Sequence, residues 1–540
     1  MAAPARRTGL AVIAGTERGP RSAGEEDLPL AGLARADWRF LLPAPPQGAY
    51  RHLALLGGPP GLTSLLEESG LARRASRELP PEGSADAVAV LHGCGVPPWE
   101  AARGLSSGGV LYAEVEEPRL TAPFGLALRQ ALRRLRGLGL RPAGVWAVWP
   151  GFDRHQLAAP LHAPGALRWW AEALYPARTP RKRLVEAGLR RLGGRGAWLL
   201  TRCFALIAVK GREDGPPGDL LPLLLSHGAE RAVLLPFSIS AARPAAVLKI
   251  PRRAVFVAKT ESEQALLARA RELADEAAQR AIPRPGGMVR WGTAVAGSES
   301  YAPGVCLERS GVRWGRPLRA KIGDLRLAAS WLTEFQAGAV VRRAAWGPRE
   351  TAEWIEAPFD AFRRLAGASE SEERLLAVAL RHAGTLSGLP LPIVWRHRDF
   401  TPWNLFRDSG AGGELSVVDW EGLRPGPALC DLLHFVTHWH EQARRASGAA
   451  SRRAALRELF LTARPGRAAG AAREAVDGYC RRLGVDPRFV PLLLLHTWLE
   501  IVARRAELPA ESGTAPVESL DAVYVTFLAE AADALFEGPG

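Results

Sequence analysis

A histidine, an aspartate and an asparagine stand at fixed intervals in "VWRHRDFTPWNLFRDSGAGGELSVVDWEG", Val394 to Gly422, and a further aspartate, Asp419, ends the apolar run "LSVVD". His397, Asp399 and Asn404 fit the spacing H-x-D-x-x-x-x-N, which suits phosphoryl transfer. That chemistry needs a carboxylate beside the acceptor hydroxyl to orient it and take its proton, a role Asp399 can fill. Magnesium needs hard oxygen donors, which the Asn404 amide and the Asp419 carboxylate supply. His397 is expected to brace the loop through its ring nitrogens. Asp408, just before a Ser-Gly turn, reads as a solvated turn residue.

The phosphates of a nucleotide also need a cation. The chain is rich in arginine but has only five lysines, at positions 182, 210, 249, 259 and 321, so a lysine inside a strand is informative. Lys249 in "AAVLKIPR" is the candidate for the α- and β-phosphates. The helical stretch after it offers Glu261 and Glu263 as the lysine's partner. Glu263 is preferred because "EQALLARA" continues the apolar helical stripe from it. A loop covering the phosphates should precede "RAVLLPF", and there "LSHGAERA" has one glycine, Gly228, in place of G-x-G-x-x-G. His434 and His438 share the i, i+4 spacing of a metal site, but packing histidines in a helix are commoner.

The quoted loop resembles that of the aminoglycoside phosphotransferase and choline-kinase branch of the protein-kinase-like fold, which reads "HGDFTPWN" or "HGDLHPGN", then "hhDWE", then a glycine/proline turn and "DL". The corresponding text here is "HRDFTPWN", "VVDWEG" and "RPGPALCDLLHF". The resemblance spans roughly residues 220 to 540. It implies a small β-rich lobe over a large helical one, ATP and magnesium as cofactors, and a hydroxylated small molecule as acceptor. It also implies that Asp431 supports the loop rather than reacts. Arg398 stands where this branch often has glycine, while protein kinases have arginine there. Glu263 fits the family's "ExxxL" pattern, and a poor glycine loop is frequent in this branch.

The surrounding elements must place these groups. Strands are expected at "RAVLLPFSIS", "AAVLKIPR", "MVRWGTAVAG" and "SYAPGVCLERSG", and a helix at "KTESEQALLARARELADEAAQRA". From "RLAASWLTEFQAGAVV" onward helical patterns dominate, interrupted by the catalytic stretch. This divides the C-terminal part into a kinase-like N-lobe, 220–310, and a helical C-lobe, 311–540.

The first half has another character. Strand patterns in "YRHLALLGG", "SADAVAVLHG" and "GVLYAEVEE" alternate with helical ones in "GLTSLLEESGLARRA" and "PPWEAARGLSSGG", which implies a mostly parallel sheet covered by helices. "LALLGGPPG", Leu53 to Gly61, resembles the glycine loop of class I methyltransferases, and "LSSGGVL" resembles that fold's later turn. Between Gly57 and Asp86 there are too few residues for the usual two intervening strands and helices, and no acidic residue clearly ends a second strand to hold a ribose. Residues 36–210 therefore read as a degenerate methyltransferase-like α/β domain in which S-adenosylmethionine is not expected. Residues 1–35 read as a flexible tail, and 211–219, "GREDGPPGD", as a linker.

Composition sets the outer limits. With 540 residues and 47% hydrophobic content, the chain is expected to form more than one core. Its five cysteines are scattered, without a C-x-x-C pair, which argues against a disulfide scaffold or zinc site. The formal charge of +14 is spread as arginine along the chain, so a nucleic-acid partner is not expected. The densest cluster, "RTPRKRLVEAGLRRLGGRG", reads as a solvated helix face. Apolar runs are too short to span a membrane and no signal-peptide core is apparent, so a soluble cytoplasmic protein is expected. Taken together, these features point to a multidomain α/β and α+β chain acting as an ATP- and magnesium-dependent phosphotransferase. Two alternatives remain: a non-catalytic nucleotide-binding scaffold, and a methyltransferase acting through the first half. Neither the acceptor nor the oligomeric state is legible.

Overall fold

Strand-forming residues in the first 300 positions build one sheet rather than two. The computed structural model describes residues 30–45, 47–118, 125–154, 156–211, 220–226, 228, 230–408, 413–506 and 522–536. Most of the expected tail and linker therefore lies outside the described residues. In chain order the strands are β1 (Tyr50–Leu56), β2 (Ala72–Ser76), β3 (Ala85–Val90), β4 (Leu105–Glu116), β5 (Leu140–Trp149) and β6 (Leu157–Pro160). They continue as β7 (Cys203–Lys210), β8 (Leu220–Leu225), β9 (Arg231–Ser238), β10 (Val247–Pro251), β11 (Pro285–Trp291) and β12 (Ala294–Glu299). All twelve lie side by side in the order β11-β12-β10-β9-β8-β6-β5-β7-β4-β3-β1-β2.

The strands of β2, β1, β3 and β4 are parallel, and every further neighbour is antiparallel. The join is made by β6 and β8, with Leu157 opposite Leu225 and Ala158 opposite Leu224. The sequence division at 211–219 is thus a division along the chain that the sheet bridges. Apolar residues of both parts, from Leu53 and Ala113 to Leu223 and Ile250, belong to one buried cluster.

Several readings differ from the structure: the sheet expected to be mostly parallel in the first half is parallel only across β2, β1, β3 and β4, and "LSSGG", expected as a turn, already belongs to β4. The run "GLTSLLEESGLARRA" is helical only over α1 (Leu62–Glu68). Gly70, at φ +69°, turns the chain, and "ARRAS" pairs with β1 as β2. "SYAPGVCLERSG" contains only the two-residue β13 (Val305–Cys306), which pairs with the helical lobe, before the chain coils into a helix at Leu307. Residues 30–35 are no tail. Leu33 is fully buried, Arg35 forms a two-pronged ion pair with Glu114 at 2.6 Å, and the following Asp37 is bound by Arg252 at 2.8 and 2.6 Å. Such charges persist in a core only when paired and hydrogen-bonded, as these are.

Helices cover the sheet and form the second lobe. In the first half they include α2 (Leu126–Gly137), α3 (Pro164–Ala173) and α4 (Pro180–Leu192). The basic α4 begins at Pro180 with Thr179 accepting from the Lys182 amide, and it leaves Arg181, Lys182, Arg190 and Arg191 exposed, as a solvated face should. After β10 comes α5 (Val257–Leu273), then α6 (Leu307–Val312), α7 (Leu318–Gly338), α8 (Cys430–Arg444), α9 (Arg467–Leu483) and α10 (Val490–Ala506). Between α7 and α8, β14 (Val340–Ala345) pairs with β15 (Pro390–Arg396), and the short β16 (Leu405–Arg407), β17 (Leu415–Val417) and β18 (Arg424–Pro427) frame the loop that holds Asp399 and Asp419. This lobe has its own core. No helix among the described residues is long and apolar enough to cross a membrane.

Candidate active site

The catalytic stretch leaves β15 at Arg396 and turns through Arg398 in the left-handed region, φ +66°. A β-carbon there is strained, which explains why glycine is common at this point of the resembling loops. Arginine is tolerated because its surroundings fix it. Its side chain pairs with Glu500 of α10 at 2.8 Å, and its carbonyl accepts from Arg504 at 2.7 Å. Asp431, buried in the first turn of α8, takes the backbone amides of His397 at 2.7 Å and Arg398 at 3.0 Å, plus the Gln336 side-chain amide at 3.0 Å. Asp431 therefore fastens the turn without facing the cleft.

His397 is fully buried. One ring nitrogen meets the Val418 carbonyl at 3.0 Å and the other the Asp399 amide at 3.3 Å, so the ring ties the loop to the strand that carries Asp419. Asn404 donates its amide nitrogen to the Asp399 carbonyl at 2.9 Å and to its carboxylate at 2.8 Å. This orients Asp399 and leaves the amide oxygen of Asn404 as the end able to meet a cation. Burial, then the negative charge of Asp419, push the Asp399 carboxyl above the usual aspartate range.

Across the cleft, β10 carries Lys249 inward and α5 places Glu263 on its buried face. The two form a direct ion pair, while Glu261 is exposed. Lys249 also lies 3.4 Å from Glu299 and 3.5 Å from Asp419. Burial alone would favour losing the lysine's proton, but these carboxylates more than offset it and hold the ammonium firmly charged. Asp419 sits at φ +69°, a conformation aspartate tolerates better than most residues. Its burial opposes ionisation, yet Arg231 and Lys249 hold its carboxyl far below the usual range.

Sequence reasoning missed Arg231, Glu299 and Glu421. Arg231, at the start of β9, binds Glu263 directly, Asp419 at 2.7 Å and Glu421 at 3.0 Å. It opens the strand just after the expected phosphate-covering loop, a signal hidden by the abundance of arginine elsewhere. Glu299 faces Lys249 from β12, the neighbouring strand. Glu421 belongs to the Asp-Trp-Glu run and was not singled out. Glu263, Asp419 and Glu421 bring carboxylate oxygens within 4.8 Å of one another. Gly228 lines the same cleft, φ +75°, with its carbonyl accepting from Arg252 at 2.6 Å. His434 and His438 pack in a ring cluster with Trp403 and Trp498, away from these carboxylates.

Lys249, Glu299, Asn404 and Asp419 line one cavity of about 770 Å³. Its hard oxygen donors fit magnesium, and its cations fit phosphates.

In the first half, the turn after β1 needs its glycines for packing. Gly57 and Gly58 have φ of +90° and +82°, and a β-carbon on them would lie 2.8 Å from Cys94 and 2.6 Å from Leu91. Arg77, just past β2, donates to the carbonyls of Gly57, Gly58 and Pro59. A guanidinium thus stands where a ribose-binding carboxylate would be needed.

Residues 237–472 match the phosphotransferase enzyme family. A comparison with curated proteins gave no match. Among solved structures the chain is similar to a choline/ethanolamine kinase family protein from Mesorhizobium loti, with 15% identity, 60% of this chain and 89% of that one covered, and a TM-score of 0.35. Aminoglycoside phosphotransferase APH(3'')-Id from Streptomyces rimosus gives 15% identity, 52% and 93% coverage, and a TM-score of 0.32. An ethanolamine kinase from Plasmodium vivax gives 11% identity, 68% and 93% coverage, and a TM-score of 0.31. The family match thus falls within the C-terminal part of the chain. None of these matches supports the methyltransferase resemblance of the first half.

Proposed function

We propose that the protein transfers the γ-phosphoryl group of ATP, with magnesium, to a hydroxyl of a small molecule such as a sugar, an amino alcohol or an aminoglycoside-like compound. The observation that carries this reading is the Lys249–Glu263 ion pair beside Asp419, with Asn404, which lines the same cavity, bound to the Asp399 carboxylate. When bound, magnesium-ATP supplies the phosphoryl group and neutralises the charge that develops as it moves. Lys249, fixed by Glu263, holds the phosphate oxygens. Asp419 and the Asn404 amide oxygen are the ligands that would hold the metal. Arg231 occupies part of the same carboxylate cluster and must shift its bonds from Asp419 toward the phosphates when a metal binds there. Asp399, its carboxylate aligned by Asn404 and its amide by His397, orients the acceptor hydroxyl and takes its proton. The soluble cytoplasmic setting belongs to the same reading. The packed glycine turn and Arg77 favour a supporting role for the first half over methyl transfer.

The test is ADP release from magnesium-ATP, measured against a panel of hydroxylated acceptors, for the full chain and for Asp399→Asn. The variant should lose about 100- to 10,000-fold in turnover with its fold and nucleotide affinity intact. Equal turnover in the two proteins would refute the assignment.

A further inference from the structure

The cavity that holds Lys249 and Asp419 is not walled by the two lobes alone. Its apolar lining includes Leu225, Val233, Val247, Phe406 and Val418, together with Trp149, Leu157 and Trp169 of the first half. These residues are fixed in place. Leu157 of β6 is paired directly with Leu225 of β8, so the roof of the cleft runs unbroken from one half into the other. Trp169 on α3 donates its indole N–H to the Tyr301 hydroxyl at 2.8 Å, and Tyr301 lies in the segment that joins the strand-rich lobe to the helical one. Arg178 reaches Glu308 at 3.3 Å, and Glu186 receives Arg313 at 2.7 Å, which anchors the same region to α6 and the segment after it. The first half therefore touches both lobes and the connection between them at the cleft's edge.

We propose that the nucleotide site is composite, with Trp149 and Trp169 of the first half packing on the base and ribose of the bound nucleotide. This rests on the ATP-dependent reading above. Strand register sets the direction: Lys249, Val233, Leu225, Leu157 and Trp149 lie opposite one another on successive strands, so with the phosphates at Lys249, Arg231 and Asp419 the planar base points along that apolar row toward the indoles. Aromatic faces accept a base without demanding a particular hydrogen-bond pattern, and the bulk of two indoles shields the base from water. Affinity for the nucleotide is then shared between the halves.

Calorimetric titration of the full chain with magnesium and the non-hydrolysable analogue adenylyl imidodiphosphate, and separately with adenosine, tests this. Trp149→Ala and Trp169→Ala should each weaken both ligands by roughly tenfold or more, and Trp169→Phe should recover part of the loss. Hydrogen exchange on the unaltered protein guards against a folding defect: backbone amides in 146–149 and 166–175 should gain protection when the analogue binds. Unchanged affinity in folded variants, or no added protection in those segments, overturns the composite site while leaving the phosphotransferase reading intact. Loss of turnover at saturating nucleotide with unchanged affinity would place the acceptor against the indoles and likewise overturn it. Failure of the unaltered protein to bind the magnesium-analogue at all would overturn both readings.

Discussion

Replacing Asp431 by asparagine should cost about 3 kcal/mol of stability in the helical lobe. One carboxylate oxygen accepts from His397 N and Gln336 Nε2, the other from Arg398 N, and Arg396 Nε stands 3.6 Å away. Asparagine can keep its oxygen toward His397 and Gln336, but its amino group then confronts the Arg398 amide. A charge-assisted bond of about 1.5 to 3 kcal/mol is lost, and a buried N–H is left unpaired at about 1 to 3 kcal/mol more. These overlap, since one donor is involved in both, which gives about 3 kcal/mol rather than their sum. The left-handed turn at Arg398 loses its clamp at the same moment. Urea unfolding followed by tryptophan emission is a suitable assay, because Trp420, one of 17 tryptophans, is buried with its ring 4.6 Å from that of His397. The midpoint should fall, and Asp431→Ala should fall further. An asparagine variant with the midpoint of the unaltered protein would refute the reasoning that Asp431 carries the turn.

Other perturbations follow from the same geometry. Lys249→Met should weaken magnesium-nucleotide binding by at least tenfold in calorimetric titration, and it should leave Glu263 dependent on Arg231 alone. His496, buried against Trp354 and Arg396, is held down to about 4 from 6.5, chiefly by burial. Its folded form stays neutral while the unfolded chain takes up a proton, so stability is full above about pH 6.5 and is lost as pH falls toward 4. The total is roughly 3 kcal/mol, and His496→Gln should flatten that part of a stability-against-pH curve. Burial would raise Glu500, yet Arg396 and the other cations around it hold it well below the carboxylate range, so its contribution persists above about pH 4.3 and fades only at lower pH. S-adenosylmethionine should leave the melting temperature unchanged, because Arg77 already occupies the glycine carbonyls. A clear upward shift in differential scanning fluorimetry would contradict that.

The candidate loop was legible because phosphoryl transfer demands particular residue types at fixed spacing. His397, Asp399, Asn404 and Asp419 come together as their intervals suggest, and Glu263 prevails over Glu261 because the helix period buries one and exposes the other. Arg231 was not legible. Among so many arginines its identity carried no signal, and its three carboxylate partners, Glu263, Asp419 and Glu421, lie 32, 188 and 190 positions away. The alternating strands of the first half could be read from their apolar runs, but β2 could not, since "ARRAS" has two exposed arginines and is a strand only because β1 offers it an edge. Nor could the meeting of β6 and β8 be anticipated. Side-chain pattern reveals that a strand has a buried face, and says little about which strand lies beside it.

That meeting has a practical side for anyone who would shorten the chain. A fragment beginning near residue 220 would keep Lys249, Asp399, Asn404 and Asp419, yet it would present β8, "LLPLLL", as a bare apolar edge. It would also strip Arg252 of Asp37, leaving a guanidinium in the interior with no carboxylate. Open edges of that kind recruit strands from other molecules, so such a fragment is a poor candidate for expression. The polar stretch at 211–219 looks like an invitation to cut, whereas the buried pairings that support the sheet reach back past Asp37 to Leu33.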